Sequence, residues 1–157
     1  MTALGITGHQ GIPPEALDYV TTGIRACIDA QSRPVTGYSS LAAGADQLFA
    51  REILVAGGSL VAIIPSRDYD TTFSEDGLKS YQHLINQCSG KVLLGFDAPT
   101  EEAFMAAGEE VIRRSDVVVA VWDGQPAAGL GGTADAVAFA RSTAKEVVVV
   151  WPEGVRR

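Results

Sequence analysis

Val117-Val118-Val119-Ala120-Val121-Trp122, followed at once by Asp123-Gly124, is an unbroken apolar run that ends in a turn. A strand with one wet face alternates apolar and polar residues. A continuous run rich in Val suits a parallel strand covered by helices on both faces. Shorter versions recur at Leu4-Gly5-Ile6, at Leu60 to Ile64 and at Val147 to Trp151. Val92 to Phe96 is a weaker run, and Val35 to Leu41 is a less apolar sixth candidate.

Between the runs, apolar residues return every three or four positions, the spacing of a helix face. Pro14 to Gln31 carries Leu17, Val20, Ile24, Cys27 and Ile28, with Pro14 suited to a first helical position. Asp46 to Ala56 carries Leu48, Phe49, Ile53 and Leu54 and stops at Gly57-Gly58. Leu78, Tyr81, Leu84 and Ile85 mark a third helix. Glu101 to Arg114 follows the N-cap candidate Thr100, with acids in its first turn and bases in its last, as the helix dipole favours. Thr133 to Ser142 is the fifth. Strands alternating with helices from end to end predict an α/β fold. It is a Rossmann-like, doubly wound, mainly parallel sheet of about six strands with helices on both faces. Residues 1–157 read as one domain.

Composition narrows the function. Hydrophobic residues make up 46% and charged residues 20%, which suits a folded globular chain. A formal charge of −7 and a pI near 4.7 give no general basic footprint for nucleic acid or anionic membrane. No apolar run approaches a membrane span, and Met1 to Gly5 shows no secretory signal, so the expected location is cytoplasmic. Cys27 and Cys88 lack CxxC spacing and read as free thiols, and with only His9 and His83 beside them no metal site is expected.

Ligands of open parallel sheets bind beyond the carboxyl ends of the strands. The unusual residues gather there: Thr7-Gly8-His9-Gln10, Ser39-Ser40, Gly44-Ala45-Asp46, Pro65-Ser66, Asp123-Gly124 and the loop Gly129 to Thr133. Gly131-Gly132-Thr133 enters a helix, where glycines let backbone approach a phosphate and free N–H groups favour an anion. Thr133 reads as a hydroxyl donor or as a helix cap. His9 reads either as a phosphate or base contact or as a histidine satisfied by a neighbouring carbonyl. Asp46 reads equally as an N-cap, and Asp123 as a carboxylate facing the crevice. Arg67-Asp68-Tyr69-Asp70 is either a cover for the ligand or a solvated loop, and Arg156-Arg157 read as surface charge. No GxxxxGK[ST], GxGxxG or GxSxG motif is present, so a P-loop, an ordinary dinucleotide fingerprint and a nucleophile elbow lack support.

Gly5-Ile6-Thr7-Gly8-His9, Ser40 to Asp46, Ser115 to Gly124 and Gly131-Gly132-Thr133-Ala134-Asp135 resemble, in order, the motifs of the SLOG superfamily. That group includes LOG-type phosphoribohydrolases (once called lysine decarboxylases), YpsA-like proteins, the DNA-processing DprA group and molybdenum-cofactor carriers. The resemblance implies a nucleotide-derived ligand, a nucleoside monophosphate or a molybdenum-cofactor-like molecule. Gly131, Gly132 and Thr133 would hold its phosphate, and Gly8 and Gly44 would shape the floor. It also implies a homodimer.

The hydrolases carry a PGGxGTxxE loop. Here Ala128 stands at the proline, Leu130 at the second glycine and Ala136 at the glutamate. Asp135 comes one residue early, which turns its carboxylate about 100° around the helix. The leading expectation is therefore a sensor or carrier that binds a nucleotide or nucleotide-linked cofactor, with no resident cofactor required. The alternative is N-glycosidic hydrolysis of a nucleoside monophosphate, with Asp123 or Asp135 stabilising ribosyl charge or activating water. A DNA-processing module is a third reading, against which the acidic pI stands.

Overall fold

The computed structural model describes residues 1–126 and 132–157. Among these residues six strands form one wholly parallel sheet: β1 (Thr2–Gly8), β2 (Val35–Ser39), β3 (Ser59–Ser66), β4 (Gly90–Phe96), β5 (Val117–Val121) and β6 (Glu146–Val149). Their order across the sheet is β4-β3-β2-β1-β5-β6. Five α-helices connect them among the described residues: α1 (Pro14–Asp29), α2 (Ala45–Val55), α3 (Glu75–Ile85), α4 (Glu101–Arg113) and α5 (Thr133–Ser142). A 3-10 turn, Tyr69–Thr72, lies between β3 and α3. The chain winds outward from β1 to β4, crosses back beside β1, and ends on the other side. Helices α1, α2 and α3 cover one face, and α4 and α5 the other. This is the doubly wound sheet that the alternation predicts.

The run at 117–121 is buried along its whole length. Val117, Val119 and Val121 face the α1/α2 side, while Val118 packs with Ile112 and Ala140 on the other. The edge strands β4 and β6 are half-exposed along their lengths, with Leu93 55% exposed. Two boundaries differ from the sequence expectation. β2 stops at Ser39 because Leu41 adopts φ 58°, which ends an extended chain. β3 runs on through Pro65, and its register with β4 shifts between Ile64 and Ser66, where proline offers no donor. Cys27 and Cys88 are free, and no helix among the described residues is long and apolar enough to cross a membrane.

Two glycines set how closely the layers of the site approach. A Cβ on Gly8 would stand 2.5 Å from the Ala45 Cβ and 2.8 Å from that of Val121. Gly44 has φ 85° and ψ −126°, and a Cβ there would overlap the Gln10 carbonyl oxygen. A left-handed backbone and a clash with main chain coincide at this position. Gly44→Ala is expected to cost about 3 kcal/mol in urea denaturation. A loss within experimental error would show that the two loops can separate freely.

Candidate functional site

Strand order reverses at β1 and β5, so the crevice of an open α/β sheet is expected at their carboxyl ends. A cavity of about 830 Å³ opens there. His9, the first residue after β1, is its hub and is 4% exposed. Its N–H donates to the Val121 carbonyl at 3.1 Å, and its carbonyl accepts from the Ala45 N–H at 3.1 Å. The main chain that carries the ring is thereby fixed by the end of β5 and the start of α2.

Three side chains meet the imidazole. Asp123 Oδ1 lies 3.2 Å from Nε2, Arg157 Nη1 lies 3.2 Å from Nδ1, and Thr133 Oγ1 lies 3.4 Å from Nδ1. Two arrangements share these atoms. With Arg157 donating to Nδ1, Nε2 carries the proton and donates to Asp123 Oδ1. With the Asp123 N–H donating to Nε2 at 3.0 Å, the proton sits on Nδ1 and faces Thr133. Trp151 closes the ring's flank edge-on, its centroid 5.4 Å away. Burial, then the Arg157 charge, lowers the His9 pKa, and Asp123 opposes both. Burial works against the Asp123 charge, but the Gln125 N–H, His9 and Arg157 outweigh it and hold this carboxyl below its usual range.

The expected site residues fall into two groups. Thr7, Gly8, His9, Ser40, Asp46, Pro65, Gly132 and Thr133 line the crevice. Ser39, Gly44 and Ala45 instead build the loop behind it. Ser39 Oγ donates to the Asp46 carbonyl and accepts from the Leu41 N–H, and the Ala45 N–H is taken by His9. Gly124, with φ 84°, turns the chain after Asp123. Asp123 sits behind the imidazole. Asp135 is exposed on α5 and borders a separate small depression with Met105 and Glu109. Gly131 lies outside the described residues. Gly132 is the N-cap of α5 and brings no side-chain acceptor, so Thr133 does not cap the helix and its hydroxyl is turned to His9. Gly44, not Asp46, is the N-cap of α2.

Sequence reading missed two parts of the site. Arg157, read as surface charge, folds back against His9, and its Nε lies 3.5 Å from Asp123 Oδ2. The other is an aromatic wall, of which the sequence offered only Tyr69, in the loop read as a ligand cover or a solvated turn. Tyr69 makes edge contacts with Phe73, Tyr81 and Phe104, at centroid distances of 5.0, 5.6 and 6.0 Å. Tyr69, Phe73 and Phe104 line the crevice. An aromatic pair four residues apart, just past a strand, was the available signal. Asp46 lines the same crevice, and its carboxyl is pushed up to about 7 by burial, against a long 3.4 Å hydrogen bond from the Ala42 N–H. Among the described residues no cluster of three His, Cys, Asp or Glu could hold a metal ion.

The arrangement around His9 has a direct readout. By NMR titration the imidazole is expected to have a pKa below the usual 6.5 or so. Arg157→Ala should raise it and Asp123→Asn lower it further. The opposite order of the two variants would contradict the ring environment.

No protein-family model matches the chain, and no curated protein matches it. Solved structures do. DNA processing protein A from Streptococcus pneumoniae superposes on 94% of this chain and 50% of its own, with a TM-score of 0.68 and 16% identity. DNA processing protein A from Helicobacter pylori, described for its single-stranded DNA binding mode, gives 94%, 64%, 0.66 and 21%. The molybdenum cofactor carrier protein from Chlamydomonas reinhardtii gives 94%, 75%, 0.60 and 16%. The chain therefore spans half the length of the first of these proteins and three quarters of the carrier. At such identities the likeness is one of fold. The chain has the Rossmann-like fold that these proteins share, as the resemblance to the SLOG superfamily implies.

Proposed function

We propose that the chain binds a nucleotide or a nucleotide-linked cofactor in the β1/β5 crevice and acts as a sensor or carrier. The observation that carries this reading is the start of α5. Gly132 opens the helix without a side-chain cap, and Thr133 Oγ1 and Arg157 Nη1 both lie against the same nitrogen of His9. Helices α3 and α4 are capped by Ser74 and Thr100, and α1 and α2 start without a side-chain cap as α5 does, so it is the hydroxyl and guanidinium beside it that set α5 apart. A phosphate at α5 would meet main-chain N–H groups, a hydroxyl and a guanidinium together. The fold shared with molybdenum cofactor carriers is consistent with this reading. The net charge of −7 favours a small anionic ligand held locally over a nucleic acid held along a basic face.

Hydrolysis is the weaker reading. Asp123 is engaged by His9 and Arg157, and Asp135 is not among the residues lining the crevice. Neither stands as an uncommitted carboxylate beside a ribosyl bond. Turnover assays with AMP are expected to release no free base.

Native mass spectrometry of the purified protein, followed by calorimetric titration with AMP, tests the binding reading. Gly132→Val places a branched side chain where the phosphate would approach. It is expected to weaken AMP binding at least about tenfold, which is about 1.4 kcal/mol, with an unchanged far-UV circular dichroism spectrum. Full affinity in this variant would remove the phosphate role of α5.

A further inference from the structure

Beyond β6 the chain returns to the crevice. The Val150 N–H is held by the Ala120 carbonyl at 2.8 Å, and Trp151 stands edge-on to the His9 ring. A turn follows at Gly154, with φ 75°. The Trp151 Nε1–H donates to the Val155 carbonyl at 2.8 Å, Val155 packs against the main core, and Arg157 joins the crevice wall. Residues 152–157 thus form a short, largely exposed strap with few anchors, the pattern of a segment of low local stability.

The anchor at its end depends on a proton. Arg157 Nη1 can only donate, so at 3.2 Å it needs His9 Nδ1 as an acceptor. An imidazolium carries N–H on both nitrogens. Protonation therefore sets donor against donor and charge against charge at this contact. Asp123 does not make up the loss, since its Oδ1 already faces Nε2 and its Oδ2 stands 3.5 Å from Arg157 Nε. Thr133 Oγ1, 3.4 Å from Nδ1, is placed to accept from the new N–H. His9 thus keeps its partners without Arg157, whereas Arg157 loses its acceptor. The coupling is reciprocal. The Arg157 charge lowers the His9 pKa, so a proton on His9 weakens the hold on Arg157 by the same factor. Asp123, from the turn after β5, and Arg157 are the charged groups that bear on the ring. Helix α5 meets His9 through Thr133, α2 through the Ala45 N–H, and the root of the strap through Trp151, all uncharged.

We propose that residues 152–157 are a pH-sensitive strap on the crevice, latched by Arg157 on the neutral His9 ring. Protonation of His9 passes the Nδ1 hydrogen bond from Arg157 to Thr133 and frees the strap. The strap is closed above the His9 pKa and open below it. For the ligand proposed above, opening removes a guanidinium from the wall. That consequence rests on the binding reading, whereas the latch itself does not.

Heteronuclear NOE values of the strap amides, followed in the ligand-free protein from about pH 8 to about pH 5, test it. The amides of Val155 and Arg156 are expected to be ordered at the upper end. They should lose that order with the midpoint of the His9 ring titration, while the β5 amides stay ordered. His9→Gln keeps an acceptor and does not titrate, so its strap is expected to stay closed throughout. This variant also separates the latch from Asp46, whose carboxyl is pushed up to about 7 in the same crevice. Strap order that is equal at both ends of the range, or that changes in His9→Gln as in the parent, would overturn the proposal. If His9→Gln does not fold, Arg157→Ala decides. Its strap is expected to be loose already at about pH 8, and order equal to the parent's there would overturn the latch. No ligand enters these measurements, so a strap that fails to open leaves the binding reading intact, and failure to bind AMP leaves the strap intact.

Discussion

The hydrogen bond from the Ala45 N–H to the His9 carbonyl, 3.1 Å long, ties the loop after β1 to the start of α2. Much of the site follows from it. The bond requires the two main chains to lie nearly in contact, which Gly44 allows by its left-handed backbone and Gly8 by its missing side chain. Because the His9 N–H is held by Val121 in the same way, one residue is clamped between the start of α2 and the end of β5. Its imidazole then has a fixed address, and Asp123, Thr133 and Arg157 are arranged around it. The glycines thus act on the site through main-chain geometry and need not touch a ligand.

The order of the strands explains why the crevice has two different ends. At the β1/β5 reversal, the loops diverge to opposite faces of the sheet and leave room for a ligand. Cationic and main-chain donors collect there because α5 begins there. Farther along, over β2 and β3, the 3-10 turn brings Tyr69 and Phe73 over the sheet edge and makes the wall apolar.

Much of the fold was legible in the sequence because burial on both faces leaves an unmistakable trace. Val117 to Val121 could be nothing but a covered strand, and the five helical periodicities matched the helices to within a few residues. The edge strand β4 was fainter, since half-exposure dilutes its apolar run. Strand order was not legible, because the pairing of β1 with β5 joins residues more than a hundred positions apart, which local pattern does not encode. In the site, a glycine or a Ser-Ser pair announces a special backbone without saying for whom. Gly44, Ala45 and Ser39 serve their own loop, whereas Gly132 opens onto the cavity. Arg157 was read as surface charge and the Tyr69 loop was left open between a cover and a solvated turn, because nothing in their immediate neighbours distinguishes an inward-folded arginine or a buried tyrosine from a solvated one.

The seam between β1 and β5 also bears on how the chain assembles during synthesis. Leu4 pairs with Val117, and at its edge the Ala3 N–H donates to the Asp116 carboxylate while the Asp116 N–H donates to the Ala3 carbonyl. Of the six strands of this sheet, the one made first is thus a central strand whose second neighbour is made after more than a hundred further residues. A nascent chain that has reached β4 can zip four strands into a half-sheet, but it must carry β1 as a naked edge until the fifth strand emerges. Such an edge is a template for the wrong partner. For this topology the interval between translating Gly8 and translating Val121 is a window of vulnerability, closed only when the same seam that builds the crevice is sealed.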